Sequence, residues 1–365
     1  MKHLLFSLLL AVALPASAQK YTAARQQWRD SVRQATADIL RDSIIRQDGD
    51  SMKLWWTIYG QEPADGRSLW ISLHGGGGTA PRVNDQQWRN QMRLYRPDEG
   101  VYVAPRSPID AWDMWCQQPI DSMYRTLIRT MVAHFNVNPD KVYLMGYSAG
   151  GDGVWRMAPR MADHWAAASM MAGHPGDVRL ENLLNTPFMI WCGAEDAAYN
   201  RNRLDAERGV QMDSLQQTCP EGYVHETHIV PGKPHWMDRE DAAAVPWMAK
   251  FRRQAWPKHV IWQQEAVLQP CFYWLSAPRE ELKRGMRVDA VVKGNTITVS
   301  RCDYSSLTIF LSDELVNLSK PITVKIGGKK VFKGKVEPSE ECYRQILHMR
   351  QDPRFAAPCR ITVRK

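Results

Sequence analysis

The chain has 365 residues, 44% of them hydrophobic and 24% charged, with a formal charge of +8. That composition supports a sizeable core and excludes a disordered or fibrous chain. The charge is unevenly placed: Val260 to Lys365 holds 18 Lys and Arg against 11 Asp and Glu, so the rest is nearly neutral. Nucleic acid is therefore not an expected partner. The basic face reads as solvated surface, with an acidic glycan or cell-envelope component as the alternative.

In chain order, Lys2 and His3 precede an apolar run from Leu4 to Leu14, and Ala16-Ser17-Ala18 follows as a small-residue cleavage pattern. This is the layout of a secretory signal peptide over residues 1–18, with Gln19 as the mature start. A periplasmic or extracellular location is expected, without stable membrane insertion, because the run is about half the ~20 residues a spanning helix needs. The seven cysteines all lie beyond residue 18. Cys192 reads as a buried core residue, and Cys271, Cys302, Cys342 and Cys359 are candidates for disulfide pairing.

Residues 19–51 form an N-terminal segment, helical from Tyr21 to Gln47. From Met52 onward, short apolar runs alternate with amphipathic stretches, the pattern of βα units feeding a mostly parallel sheet. Strands are expected at Met52–Tyr59, Leu69–Leu73, Val101–Ala104, Val142–Met145, Ala166–Met170, Phe188–Cys192 and Val224–Val230. Helices are expected at Ile120–His134, Gly150–Ala158, Arg203–Gln217 and Asp238–Arg252. Asp121 and Asp140 fall where helix starts and turns favour a carboxylate. Around His259 the pattern changes to short β runs: Val260–Gln264, Phe272–Leu275, Arg287–Lys293, Thr296–Ser300, Leu307–Leu311, Ile322–Ile326 and Lys330–Phe332. Gly327-Gly328 marks a hairpin, and one helix lies near Glu340–His348. A catalytic body over 52–258 and a small β-sandwich over 259–365 are expected.

The run Val142–Met145 enters Gly146-Tyr147-Ser148-Ala149-Gly150-Gly151, a strand turning sharply into a helix with the Ser148 hydroxyl exposed on the turn. An earlier strand ends in His74-Gly75-Gly76-Gly77-Gly78, whose glycines let backbone N–H groups approach a developing oxyanion. It lacks the Lys and Ser/Thr of a nucleotide-binding loop. The amides of Gly76 and Ala149 are the expected donors, with His74 bracing the loop. Past the strand Phe188–Cys192, Asp196 is the expected acid and Glu195 its rival. On the loop Pro231-Gly232-Lys233-Pro234-His235, His235 is the expected general base. Serine, acid and histidine occur in the order that acyl transfer on this kind of sheet uses.

These residues resemble the α/β-hydrolase superfamily over about Met52 to Arg253. Within it, the Ser148 segment and the His74 loop look like secreted esterases of the polyhydroxybutyrate depolymerase and feruloyl or acetylxylan esterase kind. The resemblance implies an α/β fold, a mostly parallel sheet flanked by helices, with nucleophile, acid and base at Ser148, Asp196 and His235. The substrate is expected to be a carboxylic ester, either small or linked to a polysaccharide or other polymer. Neither metal nor organic cofactor is expected. Trp112 and Trp115 on the loop Arg106–Gln118, together with His174 and Tyr199, are candidate substrate contacts. Competing readings are a prolyl-oligopeptidase-like serine peptidase, disfavoured by the lack of a blade-like repeat, and a non-catalytic protein that binds through its β region.

Overall fold

The computed structural model of the protein describes residues 21–365, so the expected leader and the expected mature start at Gln19 lie outside the described residues. Eight strands form the central sheet: β1 (Ile44–Gln47), β2 (Asp50–Tyr59), β3 (Arg67–Leu73), β4 (Gly100–Arg106), β5 (Val137–Tyr147), β6 (Ala167–Met171), β7 (Phe188–Gly193) and β8 (His225–Val230). They lie in the order β1-β2-β4-β3-β5-β6-β7-β8. β2 is antiparallel to both its neighbours, and β3 to β8 pair in parallel. This is the sheet of the α/β-hydrolase fold.

The central strands read as continuous apolar runs because both faces are covered. Alternate residues enter two cores. Leu69, Ile71, Val101, Val103, Val142 and Leu144 face one. Trp70, Tyr102, Tyr143 and Met145 face the other. Helices α1 (Thr22–Ala35), α2 (Ala37–Asp42), α4 (Gln118–Phe135), α5 (Ala149–Arg160) and α6 (Arg201–Thr218) contribute to the first core. Helix α7 (Ala244–Met248) packs on the second, as does Trp88 of α3 (Pro81–Gln91).

Three expectations for this part are corrected. The N-terminal helical stretch stops at Asp42; Ser43 takes a left-handed φ of 54°, and Ile44–Gln47 becomes an edge strand paired with β2. Over residues 238–252 there is only a short 3-10 turn, Glu240–Ala243, followed by the five-residue α7. Asp121 does stand in the first turn of α4, but Asp140 lies within β5 rather than at a helix start or turn, and each is tied into an ionic cluster. Arg160 binds Asp121 through Nε at 2.9 Å, and Asp140 accepts from Arg253 at 2.9 Å and Arg354 at 2.6 Å.

The C-terminal region contains β9 (His259–Gln263), β10 (Cys271–Phe272), β11 (Leu275–Ser276), β12 (Arg287–Lys293), β13 (Thr296–Cys302), β14 (Ser306–Leu311), β15 (Ile322–Ile326), β16 (Lys329–Gly334), α8 (Glu340–Arg350) and β17 (Cys359–Arg364). A five-stranded sheet, β16-β15-β13-β12-β9, and a four-stranded sheet, β10-β11-β14-β17, share one core around Trp262, Trp274, Ile297 and Ile309. The expected strand Phe272–Leu275 is instead a tight hairpin, with Phe272 opposite Leu275. Cys271, Cys302 and Cys342 are free thiols, which corrects the expected pairing.

This region is joined to the sheet body by buried charge. Arg350 of α8 reaches Asp163 at 2.7 Å, Arg253 reaches Asp352 at 2.7 Å, and Gln269 donates to Asp121 at 2.7 Å. No helix among the described residues is long and apolar enough to cross a membrane.

Candidate active site

At the end of β5 the chain turns into α5 through Ser148, whose φ of 57° and ψ of −123° are strained for a residue with a side chain. Neighbouring glycines make the turn possible. A Cβ on Gly146 would lie 2.4 Å from the Gly150 carbonyl oxygen, and one on Gly150 would lie 2.2 Å from the Leu73 carbonyl oxygen. Any side chain there would separate the strand, the turn and the helix.

Two loops meet this serine. His235 Nε2 lies 2.9 Å from Ser148 Oγ, and His235 Nδ1 lies 2.6 Å from Asp196 Oδ2. The buried carboxylate can only accept, so Nδ1 carries the proton and Nε2 is left to accept from the serine hydroxyl. The loops are fastened to each other and to the sheet. Glu195 N–H donates to the Lys233 carbonyl at 2.9 Å, and the Tyr147 hydroxyl donates to the His235 carbonyl at 2.5 Å. Asp196 is 2% exposed, with Arg201 Nη1 3.7 Å from its second oxygen. The rival Glu195 is exposed. Asp205 lies buried, accepting from Trp155 Nε1 at 3.2 Å, and burial raises its pKa above the usual carboxylate value.

The glycine loop packs directly on the turn. A Cβ on Gly75 would sit 3.1 Å from Ser148 Cβ, and Gly76 holds a φ of 112°. Asn84 fixes the next residue: it accepts from Gly77 N–H at 3.0 Å and donates to the Gly77 carbonyl at 2.9 Å. Asn84 in turn donates to Asp110 at 2.6 Å, and Arg106 anchors Asp110 at 2.7 Å. Ala149 opens α5, where no helical carbonyl is available for its N–H. His74 braces the loop from inside. Its Nε2 accepts from Ser107 N–H at 3.1 Å, so Nδ1 donates to the Gly75 carbonyl at 2.6 Å.

Burial lowers the His74 pKa from 6.5 to about 4. Between those values the unfolded chain binds a proton that the folded one refuses, so stability rises with pH across this window and is lost as pH falls through it. The contribution is about 3 kcal/mol at one unit per ~1.4 kcal/mol. His74→Asn is expected to flatten the decline of Tm between pH 6.5 and 4; an unchanged slope would remove His74 as its source.

The four candidate substrate contacts separate. Trp112 is 65% exposed and Tyr199 61% exposed, and their rings meet edge to face at 6.0 Å. The Trp112 indole also covers Gly77 and Gly78, so this pair stands over the glycine loop. Tyr199 and Asn200 both take left-handed φ values, 57° and 58°, and the Arg201 guanidinium lies 5.0 Å from the Tyr199 ring. Trp115 is corrected: it is fully buried, donates to the His74 carbonyl at 2.9 Å and belongs to the core. His174 is half-buried and closes its own turn, accepting from Gly176 N–H at 3.0 Å while its backbone N–H donates to Asp152 at 2.6 Å. His228 stacks on Trp191 at 4.1 Å and His225 pairs with Asp213, both packing roles.

Sequence reasoning missed Asn84, Asp110 and Arg106, which hold the glycine loop. Pro81 at the start of α3 was the available signal, because it is preorganised for a first helical turn. Among the described residues, no group of three or more His, Cys, Asp or Glu has the arrangement to hold a metal ion.

No protein-family model and no curated protein matches this chain. Solved structures similar to it include a thermostable esterase, 16% identical with a TM-score of 0.45, aligned over 57% of this chain and 62% of that one. The chain thus spans less than two thirds of that esterase. The BES protein from Bacillus cereus is 11% identical with a TM-score of 0.42, over 57% of this chain and 93% of that one. Thermogutta terrifontis esterase 2 phosphorylated by paraoxon is 16% identical with a TM-score of 0.39, over 56% and 88%. The strand order and the geometry of the chain itself carry the assignment of fold and site.

Proposed function

We propose that the protein is an exported serine hydrolase that cleaves a carboxylic ester through an acyl-enzyme intermediate. The observation behind this reading is the hydrogen-bonded series Ser148–His235–Asp196 on the strained turn. Neutral His235 takes the Ser148 proton at Nε2 as Oγ bonds to the ester carbonyl carbon. The buried Asp196 carboxylate keeps the proton on Nδ1 and balances the imidazolium. The carbonyl oxygen becomes an anion facing the amides of Gly76 and Ala149; losing one such donor typically costs about 3 kcal/mol of transition-state stabilisation. His235 returns the proton to the leaving alcohol, the C–O bond breaks, and water then repeats the sequence on the acylated serine. Export is supported by the leader pattern of residues 1–18, and an exported enzyme would act in the periplasm or outside the cell.

A fluorophosphonate probe is expected to label the native protein and not Ser148→Ala. Nitrophenyl acyl esters are expected to be cleaved and prolyl anilides not. Absence of labelling in the folded protein would end the serine-hydrolase reading, and the reverse substrate preference would turn it into a peptidase.

Trp112 and Tyr199 are the proposed contacts for a ring on the substrate, a phenolic acyl group or a sugar. Contacts between rings are worth about 0.5–1.5 kcal/mol. Trp112→Ala and Tyr199→Ala are each expected to raise KM about 2- to 10-fold for feruloylated sugars, with ethyl acetate turnover unchanged. Equal effects on both esters would assign the pair a structural role.

A further inference from the structure

Between Leu318 and Val336 there are six lysines and no acidic residue. Strand register shows where they point. Ile322, Val324 and Ile326 of β15 are buried, so Thr323 and Lys325 face outward. Thr323 lies opposite Lys333 of β16, and Lys325 lies opposite Lys330. On the other side β15 pairs with β13, placing Thr296 beside Thr323 and Thr298 beside Lys325. Lys293 of β12 lies opposite Thr296. Two rows therefore cross the outer face of the five-stranded sheet: Lys293–Thr296–Thr323–Lys333, and Thr298–Lys325–Lys330, the second continuing through half-buried Val291 to half-buried His259. Strands stand about 4.8 Å apart and alternate residues about 6.8 Å along a strand, which gives a flat lattice of ammonium and hydroxyl groups.

The same face is neutral at its other end. There Asp289 accepts from Arg287 at 2.7 Å, and Asp303 accepts from Arg301 at 2.8 Å. Lys293, Lys325, Lys330 and Lys333, all exposed, have no hydrogen-bonded or ion-paired side-chain partner among the described residues. Lysines do guard exposed strand edges, and β16 is an edge. That explains Lys330 and Lys333 but not Lys293 and Lys325, which stand on interior strands. Nor does it explain Lys325 directly opposite Lys330, a like-charge pair that costs stability.

We propose that this face binds an acidic polysaccharide, a chain whose carboxylates meet the lysines while its hydroxyls meet Thr296, Thr298 and Thr323. The hydroxyl rows favour a sugar polymer over nucleic acid, because their one ring for base stacking, the half-buried His259 imidazole, stands at the end away from Lys325 and Lys330. They also favour it over a membrane, because the one apolar side chain in the rows, Val291, is small and half-buried and no large exposed anchor stands there. The site stands whether or not Ser148 is a nucleophile.

The test is affinity electrophoresis of the full-length protein through gels containing polygalacturonate, with neutral arabinoxylan, duplex DNA and phosphatidylglycerol vesicles as comparisons. The native protein is expected to be retarded by polygalacturonate alone, less so as salt is raised. The variant with Lys293, Lys325, Lys330 and Lys333 all changed to Gln is expected to bind about tenfold more weakly, the summed loss of four exposed charge contacts, with Tm unchanged or slightly raised as the Lys325–Lys330 repulsion is removed. No retardation of the native protein, equal retardation of the variant, or tighter binding to DNA or vesicles would each overturn the proposal. A variant that aggregates, while the native protein ignores polygalacturonate, would leave the lysines as edge guards only.

Discussion

Asp196→Asn is expected to lower kcat on nitrophenyl acetate by about four orders of magnitude, with the fold retained. The carboxylate sits 2.6 Å from His235 Nδ1 and is itself buried, so it fixes the imidazole tautomer in a place water does not reach. An asparagine of the same shape can present its NH2 to Nδ1, which moves the ring proton to Nε2. His235 then cannot accept from Ser148. Glu195→Gln should change kcat less than twofold, because that side chain is exposed and its backbone N–H, not its carboxylate, holds the loop. Asp205→Asn should also spare kcat, since the Asp205 carboxyl bonds Trp155 while His235 bonds Asp196. Steady-state kinetics on the three purified variants checks this. A loss below tenfold for Asp196→Asn, or a comparable loss for Glu195→Gln, would transfer the role of acid to another residue.

The parts of the molecule that were legible from sequence share a physical cause. β3, β5, β6 and β7 are covered on both faces, so their burial is written as unbroken apolar runs. The turn at Ser148 needs glycines at fixed offsets, which is a local constraint. Elements held by distant partners were not legible. Helix α3 buries only Asn84 and Gln91, both polar, so it shows no apolar stripe. β1 pairs as an edge strand where its spacing read as helix. Trp112 and Trp115 are three residues apart on one loop, yet one is exposed over the glycine loop and the other fills the core beneath His74. Nothing local in the chain separates them. Asp121 read as a helix-start residue and does stand in the first turn of α4, but the ion pairs of Asp121 and Asp140 were not legible, because their cations, Arg160 in one case and Arg253 and Arg354 in the other, arrive from elsewhere in the chain.

That last cluster leads to the largest expected change in stability. Arg253→Met should destabilise the protein by about 3–5 kcal/mol, the usual cost of orphaning a buried ion. Arg253 is 5% exposed and binds Asp140 at the base of β5, the Asp163 carbonyl at 3.0 Å and Asp352 at 2.7 Å, with its guanidinium 4.8 Å from the Phe355 ring. Asp140 keeps Arg354 when Arg253 is lost, but the buried Asp352 carboxylate keeps no salt-bridge partner among the described residues. In the native protein the Arg253 guanidinium and its hydrogen bond hold the Asp352 pKa below the usual carboxylate range against the opposing effect of burial. Its contribution is therefore present above the unfolded pKa and disappears as pH falls through the folded one. Without Arg253 only the Arg354 N–H and the nearby His164 oppose burial, the largest single influence, so that pKa rises and protonating Asp352 relieves part of the penalty. Urea titrations should accordingly show the variant's deficit shrinking from pH 7 to pH 4. Arg253→Met with Asp352→Asn should recover part of the loss, because no charge is left stranded. A deficit under 1 kcal/mol, or one independent of pH, would mean that packing against Phe355 rather than charge joins the β-rich region to the sheet body.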